Sequence, residues 1–196
     1  MIQFTHIIIS IIFIFCNNAS ANDMSFGKVK SEVCSGCHGQ RGISPFPTTP
    51  NLASQNSEYI ISQLKAFKSG GRINDTMNKI SASLNNNEII ALANYYSRQS
   101  PEIQKGEPSL VKKGKEIYSL CWSCHGQKGE GPGSYPRIAG QHSQYTVKQL
   151  KEYKKGSRIN AAMKAIVSEL SSDDMEALGA YIGTLSPISH NEIAEF

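Results

Sequence analysis

The sequence has nothing left over for a disulfide framework, little for a membrane span and no pattern for a β-sheet. The longest largely apolar run, Ile7 to Phe15, is well short of the roughly 20 residues a spanning helix needs, and no stop-transfer pattern flanks it. Followed by polar Asn17-Asn18 and small Ala19-Ser20-Ala21, it reads as a secretory signal peptide over residues 1–21, cleaved after Ala21. The region lacks the Lys or Arg usual ahead of such a run and offers only His6; a retained anchor is the weaker reading. Lipidation at Cys16 is opposed by the bulky Phe13-Ile14-Phe15 before it. Of the 5 cysteines, Cys16 leaves with this segment and the other four stand in two short motifs. None remains to pair, although an exported chain meets an oxidising compartment where spare thiols tend to do so. Charge of one sign is not in excess either: 20 basic against 16 acidic residues leave a net +4, weak support for a nucleic-acid partner. The basic clusters Lys112-Lys113-Lys115 and Lys148-Lys151-Lys154-Lys155 read as solvated helix faces, with docking to a redox partner as the minority reading.

What the sequence does have is one motif written twice, Cys34-Ser35-Gly36-Cys37-His38 and Cys121-Trp122-Ser123-Cys124-His125. Both read C-x-x-C-H, the pattern of covalent c-type haem attachment. On a helical turn, cysteines at i and i+3 share a face, so two thiols can form thioethers with the two vinyl groups of one porphyrin. The histidine at i+4 then lies under the same macrocycle as proximal iron ligand. The expected cofactors are two covalent haem c groups, whose four propionates would bring the net charge close to neutral.

The motifs head an internal repeat. At an offset of 86 residues, Pro50 to Met77 aligns with Pro136 to Met163 with about half of the positions identical, among them Gln55 with Gln141, Tyr59 with Tyr145, Gln63 with Gln149 and Arg72 with Arg158. The cysteines are offset by 87 (Cys34 to Cys121), so the loop between motif and proline is one residue shorter in the second copy. In each copy a short helix, Phe26 to Val33 or Leu110 to Leu120, runs into the motif. Within these, Gly27 and Gly114 mark either a close helix crossing or, for Gly27 in particular, a plain N-cap. A Gly/Pro-rich loop follows, then helices at 57–68 and 143–155 with serine N-caps and Gly70 or Gly156 just beyond, then helices at 87–98 and 172–185 stopped by Pro101 and Pro187. The class is mainly α: domain 1 over 22–102, a Pro/Gly linker at 103–109, domain 2 over 110–187 and a tail at 188–196.

The second axial ligand decides between electron transfer and substrate binding. Met77 and Met163 close the repeated phrase Arg-Ile-Asn-x-x-Met at like distances after His38 and His125. A thioether is a soft, neutral ligand that favours ferrous iron. The alternative is that both methionines merely fill core gaps. Met24 and Met175 lack methionine counterparts, and His142 stands opposite Asn56, which suits a surface or helix-start residue; His190 lies in the tail.

Taken together, the two motifs, Pro50-x-Leu52-Ala53-x-Gln55, Pro136-x-Ile138-Ala139-Gly140-Gln141 and the Met-bearing phrases make the chain resemble the cytochrome c4 family over about residues 24–187. Its members are periplasmic dihaem cytochromes with two class I cytochrome c domains in tandem. The resemblance implies a one-electron carrier, not an enzyme, with His38/Met77 and His125/Met163 coordination and haems facing each other near a pseudo-twofold interface. It also implies Pro50 and Pro136 carbonyls bonded to the second ring nitrogen of His38 and His125. Arg72, Arg158, Asn74 and Asn160 look placed to contact propionates or the methionine loop, with solvent-exposed roles the alternative. The implied donor is a quinol-oxidising complex and the acceptor a cytochrome c oxidase, with peripheral membrane association left open. The sequence departs from the family in the short second loop and in Ser54 where the second copy has Gly140. Competing readings are a cytochrome subunit of a dehydrogenase complex, a dihaem peroxidase-like enzyme, which needs an exchangeable iron ligand, and a zinc site, which needs a fourth Cys or His that the first copy lacks.

Overall fold

The computed structural model describes residues 17–186, with side chains from Met24 onward. The expectations for residues 1–16, including Cys16, and for Pro187, His190 and the tail lie outside the described residues. The first half contains α1 (Asn17–His38), α2 (Ser57–Ser69), α3 (Asp75–Ala82) and α4 (Asn86–Ser97). The second contains α5 (Pro108–Ile117), a 3-10 turn (Tyr118–Leu120), α6 (Trp122–His125), α7 (Ser143–Lys155), α8 (Ala161–Val167) and α9 (Ser172–Thr184). Among the described residues there is no strand, and no helix is long and apolar enough to cross a membrane.

Each half has its own core. Ile60, Leu84, Ile89, Leu92 and Tyr96 centre the first, and Tyr118, Val147, Leu150, Val167, Met175, Leu178 and Ile182 the second. The helix that runs into the motif crosses the last helix of its own half, α1 on α4 and α5 on α9. Both crossings are close enough to require glycine. A Cβ on Gly27 would meet Ala91 O at 2.3 Å and Tyr95 Cβ at 2.8 Å; one on Gly114 would meet Ala177 O at 2.1 Å and Tyr181 Cβ at 2.7 Å. The contacted residues are repeat equivalents, so duplication has preserved the crossing itself, and the N-cap reading of Gly27 falls away.

Three local features differ from the sequence expectation. Short helices α3 and α8 carry the methionines; at eight and seven residues they are too short for a helical period to be read, and both start on an asparagine cap. The N-caps of α2 and α7 are Asn56 and His142, one residue before the expected serines, and neither side chain caps its helix, because both reach across the molecule. The segment after α4 is not a free linker. Gln104 N–H donates to Gly183 O at 3.0 Å, and a Cβ on Gly106 would lie 3.1 Å from Ala180 O, so this stretch is laid along α9. With Glu107 capping and Pro108 in the first turn, α5 then starts two residues earlier than expected.

Glycines 70 and 156 end α2 and α7 in the left-handed conformation, as expected. The lysines of α5 and α7 are mostly exposed. Lys113 pairs with Asp174 at 2.9 Å and Lys151 with Glu176 at 3.1 Å, surface pairs of small energetic weight.

Replacing Gly114 by Ala forces a methyl group into the Ala177 carbonyl. A destabilisation of roughly 1–3 kcal/mol is expected, as for other overpacked contacts. Thermal unfolding followed by circular dichroism measures it.

Candidate haem sites and the interface between them

In the first half one continuous helix delivers the motif: Cys34, Cys37 and His38 occupy the last turns of α1. In the second the chain tightens through the 3-10 turn and restarts as α6, placing Cys121, Cys124 and His125 equivalently. His38 and His125 are 7% and 8% exposed. Their Nδ1 atoms bond to Pro50 O at 2.9 Å and Pro136 O at 3.0 Å. A carbonyl accepts only, so Nδ1 carries the proton and Nε2 is the ring nitrogen left to ligate. Burial lowers the pKa of both imidazoles against the partial support of the proline carbonyls, which keeps them in the neutral form a metal requires.

The loops from motif to proline are closed by a glycine carbonyl that accepts twice. Gly42 O takes Leu52 N–H at 2.7 Å and Ala53 N–H at 3.0 Å; Gly129 O takes Ile138 N–H at 2.8 Å and Ala139 N–H at 3.0 Å. The one-residue deletion falls between glycine and proline, where it disturbs neither anchor. The next position is left-handed in both copies, Ser54 at φ 58° and Gly140 at φ 67°. The first copy therefore holds a serine where glycine is conformationally easier. Ser54 N–H donates to Tyr96 O at 2.8 Å and Gly140 N–H to Ile182 O at 3.0 Å, equivalent bonds that fix the turn.

Met77 and Met163 sit at the third position of α3 and α8. Asn74 Oδ1 accepts from Met77 N–H at 3.0 Å and Asn160 Oδ1 from Met163 N–H at 2.9 Å, so the asparagines shape the methionine-bearing turns as N-caps. Met77 is half-buried, and Met163 packs against the second core. Beside them the equivalent side chains of Ile73 and Ile159 stand 69% and 84% exposed, apolar surface that no protein group covers.

Arg72 and Arg158 do not extend into solvent. Arg72 donates to Gln63 Oε1 in its own half, and to Tyr145 OH at 3.1 Å and Gln149 Oε1 at 2.8 Å in the other. Arg158 mirrors it with Gln149 Oε1, then Tyr59 OH at 2.7 Å and Gln63 Oε1 at 3.1 Å across the interface. Each guanidinium also stacks 4.6 Å from an equivalent ring centre, Phe67 or Tyr153. His142 is likewise not a surface residue: it is buried, with Nε2 2.9 Å from Ser44 O of the first half. Its counterpart Asn56 reaches Gly131 O and Tyr135 O of the second.

A second pair of clamps completes the interface. Gln55 takes the N–H and donates to the C=O of Arg137, both at 2.8 Å; Gln141 does the same for Asn51 at 2.8 and 3.0 Å. Arg137 and Asn51 are repeat equivalents, so the pattern is pseudo-twofold until their side chains. Asn51 donates to Gly140 O, whereas the buried Arg137 guanidinium donates to the carbonyls of Ala53, Ser54 and Ala139, with no carboxylate beside it. Burial pulls its pKa down to about 10. The repeat had exposed Gln55, Gln141, Tyr59, Tyr145, Gln63 and Gln149 as matched pairs. Their interface role was missed because a polar residue retained on a helix face also suits solvent. Arg137 carried no signal, since its counterpart differs.

The donor set fits haem c in both halves: two thiols one turn apart, an imidazole with a free Nε2 and uncovered apolar surface beside a thioether. The Tyr96 hydroxyl is buried beside Cys34 and Ser31, and burial raises its pKa. Burial also raises the thiol pKa of Cys34, and that of Cys121 to about 11. Among the described residues no three His, Cys, Asp or Glu side chains converge as for a bound metal ion.

Two such sites on duplicated helical halves define a dihaem c-type cytochrome, an electron-transfer protein. The Cytochrome c family model matches residues 111–186. A cytochrome c4 of Azotobacter vinelandii is 33% identical, covering 83% of this chain and 89% of that protein. The crystal structure of reduced recombinant cytochrome c4 from Pseudomonas stutzeri superposes with a TM-score of 0.80 at 32% identity, over 83% of this chain and 98% of that one. A thiosulfate dehydrogenase electron acceptor from Stutzerimonas stutzeri (strain A1501) is 31% identical, over 78% of this chain and 79% of that protein. The chain belongs to the cytochrome c4 family.

Changing both Arg72 and Arg158 to Leu leaves the tyrosines and glutamines facing them unpaired and should uncouple the halves. Differential scanning calorimetry of the holoprotein is expected to pass from one cooperative transition to two, or to a broadened one, with the haem content unchanged.

Proposed function

We propose that this protein is a periplasmic one-electron carrier whose two haems are ligated by His38 with Met77 and by His125 with Met163, with no substrate chemistry of its own. The domains would be 22–102 and 110–187. When bound, haem c supplies an iron that cycles between ferric and ferrous states. The chain's part would be to supply a histidine and a methionine to each iron. The observation that carries the reading is the exact duplication of the whole donor set: each half pairs a buried histidine of fixed tautomer with a methionine on an asparagine-capped turn. With histidine and methionine both bound, neither iron would offer a position for peroxide, and a neutral thioether favours the reduced state that a donor to an oxidase needs. The partners would be a quinol-oxidising complex as donor and a cytochrome c oxidase as acceptor.

A second reading of the partner, though not of the chemistry, is acceptance of electrons from a dehydrogenase. It is supported by the 31% identity to the thiosulfate dehydrogenase electron acceptor. Stopped-flow reduction by a quinol-oxidising complex and by thiosulfate dehydrogenase separates the two, since the true donor reduces both haems at turnover-competent rates.

A pyridine haemochrome assay is expected to give two haems per chain. A spectroelectrochemical titration of the wild type beside Met77→Ala and Met163→Ala is expected to lose half of the methionine-sulfur charge-transfer band in each variant and to lower one potential. One haem per chain, an unchanged band, or rapid cyanide binding by the oxidised wild type overturns the assignment.

A further inference from the structure

In each half, the carbonyl that holds the axial histidine belongs to a peptide group whose N–H is held by the other half. Pro50 O accepts from His38 Nδ1–H at 2.9 Å, and the N–H of that same peptide, on Asn51, donates to Gln141 Oε1 at 2.8 Å. Pro136 O accepts from His125 Nδ1–H at 3.0 Å, and the N–H of that peptide, on Arg137, donates to Gln55 Oε1 at 2.8 Å. The glutamine orientations are dictated by their partners. Each Oε1 also accepts a second backbone N–H at 3.0 Å, from Asn56 or His142, and each Nε2 donates to the Arg137 or Asn51 carbonyl. Gln55 and Gln141 are 5% and 8% exposed, so water does not compete for these bonds.

A peptide group is polarisable, and hydrogen bonds in series strengthen one another: an acceptor at its N–H makes its oxygen the better acceptor. A stronger pull on Nδ1–H gives the imidazole more imidazolate character and makes Nε2 the more basic ligand. A more basic ligand favours ferric iron and lowers the potential.

We propose that Gln55 and Gln141 are crossed positioning residues: Gln55 sets the basicity of His125 and Gln141 that of His38, so each half adjusts the reduction potential of the other through a single peptide group. The proposal rests on the reading of His38 and His125 as axial ligands. A plain structural clamp would disturb both haems, or the mutated residue's own half. The relay acts only across the interface.

The test uses ¹⁵N-labelled holoprotein carrying Gln55→Met or Gln141→Met, which keep the side-chain length and remove the acceptor. In the reduced state the Nδ1–H resonances of His38 and His125 report their hydrogen bonds, and a redox titration followed by NMR assigns a potential to each haem. Gln55→Met is expected to move the His125 Nδ1–H resonance upfield and raise the potential of the second-half haem, with His38 and its haem unmoved. Gln141→Met should give the mirror image, and Gln55→Glu, which restores an acceptor oxygen, should return the His125 resonance toward its wild-type position. The two relays are independent, so either methionine variant alone decides if the other fails to assemble. Shifts confined to the variant's own half, equal shifts of both haems, or no shift overturn the proposal. Wild-type spectra without two low-spin His/Met haems would instead overturn the ligand assignment on which it rests.

Discussion

An imidazole has two nitrogens, and a haem site built on it works only if the wrong one is already occupied. The bond from Nδ1 to a proline carbonyl is the constraint on which the rest of each half depends. It demands that the chain leave the motif, turn within about a dozen residues and come back beneath the ring. Proline suits the return because it holds the backbone extended and brings no N–H of its own to satisfy. The doubly accepting carbonyls of Gly42 and Gly129 then pin the residues just beyond it. From there the left-handed turn at Ser54 or Gly140 throws the chain into α2 or α7, and those two helices supply the tyrosines and glutamines that meet Arg72 and Arg158. One hydrogen bond thus propagates into loop shape, helix placement and contact between halves.

The sequence disclosed the cofactor, the duplication and the candidate ligands because each rests on fixed chemical spacing. Cysteines one turn apart with a following histidine have few other uses, and a repeated phrase ending in methionine is hard to produce by chance. It disclosed the long helices through their apolar stripes. Helices α3 and α8 escaped because they are short and are specified by the caps Asn74 and Asn160, whose asparagines read equally well as loop residues. The interface escaped for a different reason. Arg72, Arg158, Gln63, Gln149, Tyr59 and Tyr145 were all visible as matched pairs. Which of several polar partners a guanidinium chooses is settled only when two surfaces meet. His142 illustrates the limit: its counterpart Asn56 is a different residue, yet unlike residues can fill like roles, and both reach the opposite loop.

The cores of the two halves are separate and apolar, while an extensive set of hydrogen bonds, many to backbone carbonyls, joins one half to the other. Directional bonds of that kind fix relative orientation far more sharply than apolar contact does. For a protein that moves electrons between two centres, orientation is the quantity worth fixing. Buried groups such as Gln55 and Arg137 bind this geometry because each, left unpaired, would be costly.

Arg137 and Asn51 occupy the same place in the repeat and face one another's halves, but only one carries a charge. Were two second halves to pair with each other, the arrangement would set one buried guanidinium against another and leave both short of carbonyl acceptors. Two first halves would present asparagine to asparagine, with no guanidinium to span the Ala53 and Ser54 carbonyls together. The contact therefore tells one half from the other: it favours the unlike pairing over either like one, so what began as a duplication has become a lock and a key.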